Sequence, residues 1–110
     1  MTHVEILKKN GSIYKIICDG HTNYGVHGED IVCASLSSVV QTAVLGLMMV
    51  AGVQVELDRD EERGFLSAEI VEELDGERLI QANAILDTML CGISDLNIGF
   101  SDFIELEVKG

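Results

Sequence analysis

DGHTNYGVHGEDIVCASLSSVVQTAVL, residues 19–45, is the stretch from which the rest of the chain can be read. A strand ends near Asp19. The loop after it holds Gly20, Gly25 and Gly28, which give it backbone freedom, together with His21 and His27. Asp30 is placed to cap a long helix, because its carboxylate can accept an amide hydrogen bond from the first turn. The helix is expected from Ile31 to Met49 or Val50, with Gly52 as its stop. Cys33 then stands at the third helical position. A helix N-terminus offers free amide donors and partial positive charge, and both favour a thiolate over a thiol. An imidazole just upstream can take the proton or pair with the thiolate.

On the N-terminal side, residues 2–8 mix polar and apolar side chains as a half-buried strand does. Asn10-Gly11 is a strong hairpin signal, and residues 13–18 form the returning strand. Cys18 is expected to point into the sheet's packing. On the C-terminal side, residues 53–57 alternate as a strand. The charged run 58–64 reads as a solvated turn and residues 65–72 as the next strand. A second helix is expected over 78–95, with Leu79, Ala82, Ile85, Leu86, Met89, Leu90 and Ile93 on one apolar face. Cys91 reads as packing within it, and Asn97-Ile98-Gly99 as its breaker. Residues 103–108 close the chain as a strand. The order ββαββαβ predicts an α+β fold: a single-domain sandwich over residues 1–110, with a mainly antiparallel sheet and two long helices packed on it. Apolar surface in excess of that packing predicts a homodimer.

Composition narrows the function. The chain carries 19 acidic against 7 basic residues, a formal charge of −12. Such a surface repels phosphate backbones and attracts basic partners, so direct nucleic-acid binding is not expected. The N-terminal residues lack the apolar core of an export signal, and three cysteines do not form a disulfide framework. A reducing cytoplasm is the expected compartment. Residues 31–55 contain no charge, a length that can span a bilayer. The serines, Gln41 and Thr42 in its first half favour a buried core helix instead, so no membrane partner is expected.

Cys33 therefore reads either as a nucleophile or as a buried structural cysteine. In the first reading His21 is the base, preferred to His27 because it sits where strand meets loop. Ser37 lies one turn below Cys33 on the same helix face. First-turn amides are candidate oxyanion donors. Asp30 serves the helix as a cap or orients His21 and the loop. A metal site from Cys18, His21, His27 and Cys33 is the rival of a different class, but its spacing fits no common zinc framework. A serine hydrolase on Ser37 or Ser38 lacks the GxSxG elbow.

The motif Asp19-Gly20-His21, Tyr24-Gly25, Asp30-Ile31-Val32-Cys33-Ala34 and Ser37, opening a helix after two strands, resembles the ribosomal-processing cysteine protease family Prp. The resemblance spans the whole domain. It implies a homodimeric α/β sandwich with a mobile loop ahead of the catalytic helix. It also implies an endopeptidase that removes an N-terminal extension from ribosomal protein number twenty-seven of the bacterial large subunit. Carried onto this chain, Cys33 is the nucleophile and His21 the base. Gly20, Asp30 and Ser37 support them, and no metal or cofactor is required. Thr22 stands where a small residue is common in the family. The loop is expected to be open without substrate, holding His21 away from Cys33 until a target binds. The non-enzymatic alternative is an acidic ribosome-associated binding protein whose Cys33 is structural.

Overall fold

The computed structural model describes residues 1–20 and 29–110, with the side chains of Glu29 and Asp30 left aside. Its order is β1 (Thr2–Lys9), β2 (Ser12–Asp19), α1 (Glu29–Met49), β3 (Val55–Asp60), β4 (Phe65–Ile70), α2 (Gly76–Gly99) and β5 (Ile104–Lys109). The expected ββαββαβ succession is present. The five strands form one sheet in the order β3-β4-β2-β1-β5. The β1–β2, β2–β4 and β3–β4 pairs are antiparallel, and β1–β5 is parallel.

Asn10 and Gly11 turn the first hairpin, both with positive φ (54° and 81°), as a two-residue primed turn requires. Next to the turn Lys9 faces Ser12. A bulge between Leu7 and Lys8 then shifts the register, so that His3 faces Asp19 and Val4 faces Cys18. The extra residue keeps Thr2, Val4 and Ile6 on the inner face together with Ile16 and Cys18.

Both helices cover that face. Val32, Leu36, Val40, Val44 and Leu47 of α1 and Ala82, Leu86, Met89 and Ile93 of α2 are buried in one core with the inner strand residues. The spacing of each set is that of one helical stripe. The helices run against each other through their glycines. A Cβ on Gly46 would stand 3.5 Å from Ile85, and one on Gly92 3.4 Å from Val39. Both are ordinary van der Waals distances, so the helices pack closely at these glycines with room for a methyl group. Helix α1 is long and apolar enough by composition to cross a membrane, yet one side of it is spent on the sheet. Its other side leaves Ile31, Leu45, Met48 and Met49 exposed, Met49 by 80%. Gly52, with φ of 64°, ends the run, and Val53 N–H returns to the Leu47 carbonyl at 2.8 Å.

Several sequence expectations are corrected. Helix α1 starts at Glu29, so Asp30 is inside its first turn and not ahead of it, and Cys33 is the fifth residue. Helix α2 continues through Asn97 and Ile98 to Gly99, because breakers in a last turn forfeit few hydrogen bonds. Cys91 is exposed on α2, not packed. The run Asp58-Arg59-Asp60 is strand, not turn: Arg59 faces Leu66 and Asp60 faces Phe65. An edge strand accommodates charge because one side of it meets solvent.

Candidate active site

The β3–β4 hairpin reaches the start of α1 and closes a cleft there of about 250 Å³. Cys33, Ala34, Leu36 and Ser37 line it from α1, Thr2, Cys18 and Gly20 from the ends of β1 and β2, and Arg59, Asp60 and Glu61 from the hairpin. Three of the five residues singled out from sequence, Cys33, Gly20 and Ser37, are therefore brought to one cleft. Asp30 is the second residue of α1, immediately ahead of that wall. His21, His27 and the expected opening of the loop at 24–28 lie outside the described residues.

Cys33 is half-buried, unlike buried Cys18 beside it. The four N-terminal amides of a helix lack intrahelical acceptors. Cys33 directly follows the residues that carry them, 29–32, and a helical side chain leans toward the N-terminus, over that turn. The sulfur is also within 3.4 Å of the Thr2 hydroxyl. Thr2 Oγ1 in turn donates to the Gly20 carbonyl at 3.2 Å.

Gly20 is required twice over. Its φ is 120°, and a Cβ there would come 2.5 Å from the Met1 carbonyl oxygen and 3.2 Å from the Thr2 Cα. Only a hydrogen in place of a side chain lets β2 end this close to the start of β1 and continue to His21. Ser37 Oγ accepts a 2.6 Å hydrogen bond from Gln41 Nε2. Its own proton is then available to a group in the cleft.

Sequence reasoning missed Thr2, Gln41 and the hairpin wall. Gln41 was within reach of a spacing argument, since it stands one turn beyond Ser37. Thr2 depends on the bulge, which leaves no clear sign in the sequence.

Cys18 and Cys33 are distinct thiols. Burial, and secondarily the charge of Cys33 nearby, push the Cys18 thiol up to about 12. It is protonated and inert at neutral pH. A thiol-alkylating reagent at pH 7 should modify Cys33 first, about tenfold faster than exposed Cys91, and Cys18 last. Mass mapping of the labelled peptides checks this, and equal rates at Cys33 and Cys91 would remove the case for an activated nucleophile.

Among known proteins, residues 1–105 match the model of the family described as cysteine protease Prp. The ribosomal processing cysteine protease Prp of Bacillus subtilis is 32% identical over 83 residues, 76% of this chain and 74% of that protein. The ribosomal processing protease Prp of S. aureus, crystallised with a substrate peptide, superposes with a TM-score of 0.85 at 26% identity, covering 99% of this chain and 100% of that one. The same S. aureus protease with a covalently linked product peptide gives 0.83 at 27% identity, with the same coverage. With its fold, its cysteine-bearing cleft and its family match in agreement, this chain belongs to the Prp family of cysteine proteases and is a hydrolase of peptide bonds.

Proposed function

We propose that this protease is an endopeptidase that removes the N-terminal extension of ribosomal protein number twenty-seven of the large subunit, using Cys33 and His21. The carrying observation is the cleft itself: Cys33 lines a space whose other wall carries Asp60 beside the Arg59–Glu61 ion pair, 2.7 Å apart. The net charge of the whole chain, −12, suits a strongly basic substrate protein, since opposite charge speeds encounter. The B. subtilis and S. aureus relatives named above bear ribosomal processing in their names.

His21 takes the Cys33 proton, and the thiolate attacks the scissile carbonyl carbon. The carbonyl oxygen becomes an oxyanion, which the first-turn amides of α1 are suited to hold. Collapse of this intermediate breaks the C–N bond, and the His21 imidazolium gives its proton to the departing amine. A thioester to Cys33 remains. Water, deprotonated by His21, attacks its carbonyl carbon; the C–S bond breaks, the carboxyl product leaves, and the His21 proton returns to the sulfur. Ser37, oriented by Gln41, donates to the substrate near Cys33, and Asp30 and Gly20 support the segment that carries His21. The sequence of steps calls on no metal or cofactor.

The exposed apolar residues of α1 are the natural seam for a second copy, and we assign the working form to a cytoplasmic homodimer. Sedimentation finding only monomer at micromolar concentration contradicts that assignment. For the reaction, the pure protein is incubated with the extended ribosomal protein and the products are weighed by mass spectrometry. A single shortened product, unaffected by a chelator, is expected. An intact substrate after prolonged incubation rejects this substrate.

A further inference from the structure

The Thr2 hydroxyl stands between two parts of the site that chain order keeps far apart. Thr2 is 31 residues from Cys33 and 18 from Gly20, and contacts both. It is held tightly: its side chain is buried, with the residue 4% exposed. Its N–H bonds the Phe103 carbonyl at 2.8 Å, and its Cα pairs with Ile104 of β5. A hydroxyl carries one proton and two acceptor lone pairs. With the sulfur protonated, S–H donates to Oγ1 while the hydroxyl proton goes to the Gly20 carbonyl. When the sulfur is a thiolate it can only accept, and a rotation about the Thr2 C–O bond brings the hydroxyl proton to it. A hydrogen bond to the charged form favours that form.

We propose that Thr2 is a further catalytic residue of this protease, its hydroxyl donating to the Cys33 thiolate and switching to the Gly20 carbonyl when the sulfur is protonated. The inference rests on Cys33 being the nucleophile. It does not depend on which protein is cut. The switch links the charge on sulfur to the end of β2, which leads directly into His21. No proton is gained or lost by Thr2 itself, because its hydroxyl only reorients.

The test compares Thr2→Val, which swaps the hydroxyl for a methyl of similar size, with Thr2→Ser, which keeps the hydroxyl. The rate of iodoacetamide labelling at Cys33 is followed from pH 5 to 10 (a window given as about the range of a thiol titration), with no substrate present. In Thr2→Val the midpoint of the pH–rate curve should move up by about 0.5 to 1 unit, and the rate at pH 7 should fall by about three- to tenfold. Thr2→Ser should restore most of both. If Thr2→Val does not fold, Thr2→Ala carries the same comparison. A hydroxyl-free variant whose curve superposes on the wild type overturns the proposal, as does Thr2→Ser behaving like Thr2→Val. Because the readout is the thiol, loss of the Thr2 assignment is separable from loss of the Cys33 one. In the latter case wild-type Cys33 labels no faster than Cys91.

Discussion

Cys33→Ala is expected to leave a folded protein that does not cut its substrate. The nucleophile forms the covalent bond on which both half-reactions depend, so cleavage should fall by at least about 10⁴-fold. The fold should hardly notice. Cys33 is only half-buried at the start of α1, and the residues next to it in the core, Val32 and Leu36, remain in place. A loss of no more than about 1 kcal/mol is expected, within the range of substitutions away from a packed core. Cys33→Ser should behave alike, since an alkoxide is far harder to form than a thiolate. His21→Ala should cost about 10²- to 10⁴-fold as the loss of a general base. The double variant should be little worse than Cys33→Ala alone, because residues acting as a unit are not additive. Peptide cleavage and thermal unfolding, measured on the same samples, read both quantities. A Cys33→Ala protein that still cleaves, or one that loses several kcal/mol of stability, would return Cys33 to a structural role.

Gly20→Ala should damage stability and activity together. The glycine's φ of 120° is one that L side chains rarely adopt, and such strain costs about 1–3 kcal/mol. The added methyl would also meet the Met1 carbonyl oxygen and the Thr2 Cα, which are backbone atoms and cannot rotate aside. Relief requires β2 to end further from β1. That moves the Gly20 carbonyl off Thr2 and displaces the segment that begins at His21. Misplacement on the scale of an ångström costs about 10²-fold in rate, so kcat should fall by that order with a smaller change in KM. Gly52→Ala provides the control. Its φ is also positive, at 64°, but a Cβ there meets nothing within 4 Å. It should cost stability by a similar strain and leave kcat unchanged. Equal kcat in Gly20→Ala and wild type would mean that the end of β2 does not position the site.

Sequence by itself determined the succession of elements and two ends of the site. Asn10-Gly11 dictates a hairpin because few other residue pairs tolerate positive φ twice in a row. The stripe of Ala82, Leu86, Met89 and Ile93 dictates a helix with one face on a core, since its spacing fits no strand. Cys33 and Ser37 share a helix face by the same arithmetic, while Gly20 was one of three loop glycines and gained its supporting role only from the family resemblance. These are local properties, carried by residues within a turn or two of one another. The tertiary structure decided the rest. The charged residues 58–60 read as turn in isolation, and they became strand because β4 offers their backbone a partner. Cys91 fits an apolar helix by composition, yet its position on the helix circumference leaves it exposed. Thr2 carries no local sign of a role. It reaches Cys33 because one bulged residue shifts the β1–β2 register, and because α1 crosses the end of that hairpin. Contacts between residues far apart in the chain depend on register and on how layers stack. No window of sequence contains either quantity, because both arise only when separate elements compete for the same buried face.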